Sequence, residues 1–104
     1  MKQRDSMIKS IFDFLNDNRI LLQNVSALEG TLGWKITESP TSSKIHFKRN
    51  PTGREEELIW NPKVSIPNEA ITVKVDGKIH SLESPEGSNI LENFKNNVVY
   101  IGAT

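Results

Sequence analysis

Apolar residues recur with helical spacing near the start of the chain, which predicts an amphipathic helix with one side in the core. The residues at i, i+3, i+4 and i+7 spacing are Met7, Ile8, Ile11, Phe12 and Leu15. Asp5 or Ser6 is a suitable N-cap, and the polar run at 16–18 predicts a break. A second, shorter helix is predicted over 21–28, because an apolar stripe continues there and Gly30 can terminate it.

In the middle of the chain the apolar spacing changes to the alternation of β-strands. Residues 34–37, 44–48 and 58–60 alternate apolar and polar side chains, and turn-forming residues at 50–53 separate the last two. The segment 63–68 is flanked by prolines, which lack the backbone donor that a central strand needs. This part of the chain therefore predicts three strands, followed by an extended segment at a sheet edge.

The strongest short-range signal is a β-hairpin around Asp76-Gly77. This pair separates two alternating runs, 71–75 and 78–82, and suits a type I′ turn, in which both central residues have positive φ. In a two-residue turn, Ile79 lies opposite Lys74, on the face away from the apolar residues of the first run. Ile79 is therefore predicted to be an apolar residue on the outer face, either covered or available to a partner.

The last part of the chain predicts a helix and then a strand. Ser84 fits an N-cap, Pro85 the first helical turn and Glu86 the positive end of the helix dipole. The helix is expected to end at 96–97, and the apolar run 98–101 predicts a final strand. The elements together predict an α+β fold with residues 1–104 as one domain. The antiparallel sheet has about five strands, with an N-terminal helical segment and a C-terminal helix packed on one face.

The stretch 44–60, KIHFKRNPTGREEELIW, is either a surface that binds a polyanion or a hairpin whose strands neutralise each other. If Ile45 lies opposite Trp60, then Phe47 lies opposite Leu58 and both apolar pairs share one face. A nucleic-acid site would need those aromatic rings exposed between free cations. The apolar pattern therefore favours the hairpin.

The same register pairs cations with carboxylates. It places Arg49 opposite Glu56 and Lys48 opposite Glu57, and cross-strand pairs of opposite charge contribute about 0.2–1 kcal/mol each. The basic residues are therefore expected to have partners on the neighbouring strand. In the alternative hypothesis, a nucleic-acid-binding domain, the contact residues would be Lys44, His46, Lys48, Arg49 and Arg54.

Charge and composition restrict the function classes. Thirteen basic and thirteen acidic residues balance, so the chain as a whole has no general affinity for nucleic acid or anionic membranes. The absence of cysteine excludes disulfides and Cys-based metal sites, and it favours a reducing compartment. No apolar stretch approaches the roughly 18 residues of a spanning helix, and the N-terminus does not resemble an export signal. A cytoplasmic protein that uses no membrane, metal or cofactor is therefore expected.

The only enzyme hypothesis rests on the two histidines of the chain. His46 and His80 lie in predicted strands and lack the i, i+4 spacing of a helical metal pair. If either converged with Glu57 or Glu83 it could act as a general base, so a small-ligand protein or hydrolase using His46 or His80 is a second alternative. Phosphate-binding glycine loops and nucleophile elbows are absent from the sequence, and no catalytic residue is assigned.

The preferred hypothesis is a small non-catalytic module that binds another protein, as an adaptor, an inhibitor or an immunity-type protein does. The residues predicted to contact that partner are Trp34, Trp60, Ile66 and Ile79. The tryptophans would be interface anchors only if exposed, because Trp is also common in cores. Ile66 belongs to the predicted edge segment, to which a partner strand could add. A homodimer through a sheet edge or through Ile79 is the other assembly considered.

Overall fold

The structure is a computed structural model of the chain, and it describes residues 2–18, 34–38 and 44–99. The helices are α1 (Lys2–Asp17), α2 (Pro67–Ala70) and α3 (Pro85–Phe94), and a π-helical segment, Lys95–Val99, directly follows α3. The strands are β1 (Lys35–Glu38), β2 (Ile45–Arg49), β3 (Glu56–Trp60), β4 (Ile71–Val75) and β5 (Lys78–His80). The predicted helix over 21–28 lies outside the described residues.

The five strands form one antiparallel sheet in the order β1-β2-β3-β4-β5, so each strand pairs with the next along the chain. Helices cover one face, called the inner face here, and the opposite face is called the outer face. A single buried cluster joins Ile11 of α1, Leu58 and Val73 of the sheet, and Leu91 of α3. The predicted α+β class, with helices on one face of an antiparallel sheet, is confirmed.

The β2–β3 hairpin has the register that the sequence predicts. The opposed pairs are Ile45 with Trp60, Phe47 with Leu58, Lys48 with Glu57 and Arg49 with Glu56. The apolar members are all buried on the inner face. Thr52 and Gly53 close the connection with positive φ values of 41° and 79°, a conformation that glycine adopts without steric cost. Burial of the apolar pairs therefore sets the register on which the outer face depends.

The β4–β5 hairpin also forms as predicted. Asp76 and Gly77 have φ values of 50° and 84°, as a type I′ turn requires. Ile79 lies opposite Lys74 on the outer face. β5 is shorter than the predicted run, because the chain turns after His80 to begin α3.

Aromatic rings join α3 to the sheet at the centre of the core. Phe94 of α3 meets Trp34 and Phe47 edge to face, with ring centroids 5.3 and 5.1 Å apart. The Trp34 Nε1–H donates a hydrogen bond of 2.9 Å to Asn93 Oδ1, so the polar end of the buried indole is satisfied. Pairs of this geometry contribute about 0.5–1.5 kcal/mol beyond burial and hold α3 over the strands.

The segment 63–68 is not the extended edge strand that the sequence predicts. Residues 62 and 63 form a turn, and Pro67 begins α2, where its missing N–H removes no helical hydrogen bond. The N–H groups of Glu69 and Ala70 donate to the Ile66 carbonyl oxygen at 3.0 and 2.9 Å. The proline therefore starts a helical turn that leads into β4.

The prediction of a strand over 98–101 is wrong for residues 98 and 99. The chain continues from α3 into the π-helical segment, which includes Val98 and Val99. The Lys95 N–H donates to the carbonyl oxygens of Leu91 and Glu92, so helical hydrogen bonding runs past the end of α3. The β-propensity of valine is a weak constraint beside a helix that already satisfies the backbone. Residues 100 and 101 lie outside the described part of the chain.

A substitution at Gly87 tests the close approach of α3 to the turn before it. Gly87 is buried, and an added methyl group would overlap the Ser81 carbonyl oxygen. We expect Gly87→Ala to lower the free energy of unfolding by about 1–3 kcal/mol, because backbone must move to admit the methyl group. Asn89→Ala, at an exposed position of α3, should change it by less than about 0.5 kcal/mol. Urea unfolding measures both values, and equal stabilities would contradict the close approach.

Candidate functional site

The structure corrects two of the four residues predicted to contact a partner. Trp34 and Trp60 are both fully buried in the core, so neither ring offers a surface to a partner. Ile66 and Ile79 are exposed, at 52% and 69%. Exposed large apolar residues therefore remain at the start of α2 and on β5.

The basic residues of the 44–60 hairpin separate onto two surfaces. Arg49 follows the inner-face alternation of β2, and Arg54 lies in the connection that leads to β3. Lys44, His46 and Lys48 follow the outer-face alternation instead. Residues that form one basic patch in the sequence therefore do not form one binding surface in the fold.

Glu56 brings the two arginines together at the end of the β2–β3 hairpin. Its carboxylate is nearly buried; Oε2 accepts a hydrogen bond of 3.1 Å from Arg54 Nε, and Oε1 lies 3.6 Å from Arg49 Nη1. The Arg54 Nη2 group also donates a 2.6 Å hydrogen bond to Glu86 Oε2, in the first turn of α3. Arg54 therefore links the hairpin to the helical layer.

These contacts give Arg54 a structural role. The hydrogen bond to Glu86 raises the pKa of the Arg54 guanidinium, with smaller contributions from the charges of Glu86 and Glu56, against some desolvation. The group therefore keeps its charge throughout the physiological pH range. Because Arg49 and Arg54 already have carboxylate partners, they are less available to phosphate groups than the sequence alone suggests.

One row of side chains crosses the whole outer face of the sheet. Successive strand pairings place one residue of each strand side by side: Lys35, Lys48, Glu57, Lys74 and Ile79. Three lysines in this row flank a single carboxylate. The alternation of β2 predicts the position of Lys48, but Lys35 joins the row only through the pairing of β1 with β2, and Lys74 through the pairing of β3 with β4.

Glu57 is paired with a histidine and not with the lysine opposite it. The Glu57 Oε2 atom lies 2.7 Å from His46 Nδ1, and both side chains are largely buried, at 17% and 23% exposed. The register Lys48–Glu57 is correct, but the expected ion pair between them is not formed. His46 lies opposite Ile59, two residues along the hairpin from the Lys48–Glu57 pair. It is therefore the diagonal neighbour of Glu57 on the same face, within reach of its carboxylate.

The lysines of the row are free of ion pairs within the described residues. Lys35 and Lys48 are exposed and Lys74 is half-buried, and the contacts found for the carboxylates of this part of the chain go to other residues. A depression of about 250 Å³ lies beside Lys48 and Lys74, and the glutamates at 55–57 also line it. Among the described residues these lysines thus form no direct ion pair, although Glu57 is their neighbour in the row.

The same face has apolar positions as well. Ile59 lies opposite His46 and Thr72 and is only 7% exposed, although it is outside the core cluster of the inner face. Ile79 ends the row of lysines at β5. None of the described aromatic side chains belongs to the outer face, since those of the strands and helices pack in or against the core. The described outer face therefore combines lysines and Glu57 with the exposed aliphatic side chain of Ile79.

His80, the other histidine of the enzyme hypothesis, belongs to the inner-face alternation and lies opposite Val73. It lines a shallow groove of about 320 Å³ at the end of β5, together with Thr72, Ile79 and Leu82. Across the described ranges, no three His, Asp or Glu side chains come together as ligands of a metal ion. The enzyme hypothesis requires a histidine beside Glu57 or Glu83. The structure brings one such pair together, His46 and Glu57.

Comparison with other proteins adds no functional information. No protein-family model, no curated protein and no solved structure matches the chain significantly. Within residues 2–18, 34–38 and 44–99, no helix combines the length and apolar character needed to cross a membrane. Since a fold does not define a function, the candidate function rests on the chemistry of the described outer face.

Removal of one charge tests the structural role of the arginine cluster. We expect Glu56→Gln to lower the free energy of unfolding by about 1–3 kcal/mol, because two guanidinium groups lose their shared carboxylate. Glu55→Gln alters an exposed carboxylate with no ion pair among the described residues, and should cost less than about 0.5 kcal/mol. Urea unfolding of both variants gives the comparison. A Glu56→Gln variant as stable as Glu55→Gln would exclude the structural role.

Proposed function

We propose that the protein is a non-catalytic binding module whose outer sheet face docks on an acidic surface of another protein. The observation that carries the proposal is the row in which Lys35, Lys48 and Lys74 have no ion pair among the described residues, while Glu57 is engaged by His46. Unpaired cations on one face steer and orient an oppositely charged partner. Adaptor, inhibitor and immunity-type action are all forms of this role.

The composition of the face favours a protein partner over nucleic acid. The exposed side chain of Ile79 stands at the end of the row of lysines, so the face offers an aliphatic contact beside its cations. Single-stranded nucleic acid is commonly held by aromatic rings, and the described outer face has none. Aliphatic contacts beside cations suit an acidic protein surface, which combines carboxylates with apolar side chains.

Neutralising two lysines tests the proposal. Tagged protein is incubated with extract of the native host, with and without nuclease, and bound proteins are eluted across a salt gradient. We expect a stoichiometric protein to be retained after nuclease treatment by the unaltered chain, and to be lost at lower salt by the Lys48→Ala/Lys74→Ala variant. The affinity should fall by about tenfold or more, as the loss of two interfacial cations implies.

The matched control removes two lysines from the helical side of the molecule. Lys9 lies on α1 and Lys95 at the end of α3, so Lys9→Ala/Lys95→Ala changes the net charge equally without altering the outer face. This variant should retain the partner. Equal losses in both variants would show that only net charge matters and would contradict the proposed surface. Loss of the bound material on nuclease treatment would replace the proposal with nucleic-acid binding.

A further inference from the structure

β5 is the last strand in the order of the sheet. In the described chain no strand follows β5 in the sheet order, and the three residues of β5 are exposed or half-buried. Ile79, in the middle of β5, is 69% exposed. An exposed strand edge is a template for another strand.

The hydrogen-bond pattern of the sheet shows which backbone groups face that edge. The Asp76 N–H donates to the Glu55 carbonyl oxygen at 2.8 Å, so Asp76 directs its donor toward the β3 side. Because direction alternates along an antiparallel strand, Lys74 also faces β3, whereas Val73 and Val75 face β5. Val75 and Val73 therefore form the hydrogen-bonded pairs with Lys78 and His80.

Ile79 is consequently in a non-hydrogen-bonded pair with Lys74. Its N–H and C=O groups point away from β4, toward the open edge. The only large apolar side chain exposed on the described strands thus belongs to the residue whose backbone donor and acceptor are both available. Main-chain hydrogen bonds and an apolar contact at one residue are the features used in recognition by strand addition.

We propose that an extended acidic segment of the partner protein adds to β5 as a sixth antiparallel strand. The inference rests on the proposed function and names the mode of contact. The partner residue opposite Ile79 exchanges two main-chain hydrogen bonds with it and places an apolar side chain beside it on the outer face. An acidic side chain next in sequence lies opposite Lys78.

The positive charge of Lys78 at the edge of β5 favours an acidic segment as the added strand. Lys78 is exposed, has no ion pair among the described residues, and directly precedes Ile79 on β5. A short edge strand with a lysine normally discourages strand pairing, since a second copy brings another lysine to the same edge. An acidic strand converts that lysine into an attractive contact.

The first test uses a capped synthetic peptide of alternating Glu and Val, with a Lys–Val peptide as control. In the free protein the Ile79 N–H should exchange rapidly with solvent, whereas the N–H groups of Lys78 and His80 are protected by β4. We expect the Glu–Val peptide to slow exchange at Ile79 and to shift the NMR signals of β5. The Lys–Val peptide should do so at least about tenfold more weakly.

Variants of Ile79 separate backbone from side-chain recognition. Ile79→Pro removes the edge-facing N–H but no ladder bond to β4, a position where strands tolerate proline. It should abolish the peptide's effect, whereas Ile79→Thr, which keeps the N–H, should weaken binding only several-fold. N-methylation of the central valine of the peptide removes the reciprocal donor and should abolish binding by the unaltered protein. This arm holds even if the proline variant is poorly folded.

The outcomes distinguish this inference from the proposed function. If the host partner is lost by Lys48→Ala/Lys74→Ala but retained by Ile79→Pro, strand addition is wrong and docking on the outer face remains. Undiminished binding of the N-methylated peptide would also overturn strand addition. Protection of the Ile79 N–H that rises with protein concentration alone would identify a second copy as the occupant. Retention of the partner by the lysine variant would overturn the proposed function.

Discussion

The register between β2 and β3 is the constraint on which the rest of the structure depends. Leu58 and Trp60 of β3 are fully buried on the inner face, and a slip of β3 by one residue would turn both toward the outer face. The cost of exposing two large side chains, about 1.5–3 kcal/mol each, exceeds the contribution of any surface ion pair in the molecule. The positions of Lys48, Glu57 and the other outer-face residues therefore follow from the burial of their neighbours.

The basic residues of this hairpin serve two different purposes, and the partition follows from geometry. Arg49 and Arg54 converge on the nearly buried Glu56, and Arg54 continues to Glu86, so these cations hold the sheet end against α3. Arginine suits this position because its planar fork reaches two carboxylates while keeping its charge. On the outer face, Glu57 contacts His46, and Lys48 has no ion pair with any described carboxylate. The surface cations, unlike the arginines, have charge to offer a partner.

Among the described residues β5 has a strand on one side only, and its short length results from how the chain leaves the sheet. The Ser84 N–H and hydroxyl both bond to the Ser81 carbonyl oxygen, which turns the chain into α3 immediately after β5. This short exit gives the sheet a three-residue final strand, and the two-residue turn before it sets which backbone groups point outward. A longer strand here would expose more unpaired backbone and increase the risk of unspecific pairing. Ile79 is thus the one residue of β5 whose backbone N–H and C=O both point away from β4.

The sequence by itself determined the class of fold, the two hairpins and their registers, since alternation and turn chemistry act over a few residues and point to one answer. It also placed Ile79 opposite Lys74, because a two-residue turn leaves no other choice. Only the tertiary structure decided that both tryptophans are buried, that proline opens a helical turn at 67, and that helix continues through 95–99. It also decided that Glu57 binds His46 and not Lys48. These outcomes depend on which distant elements pack together and on side-chain directions, and local patterns carry no information about either.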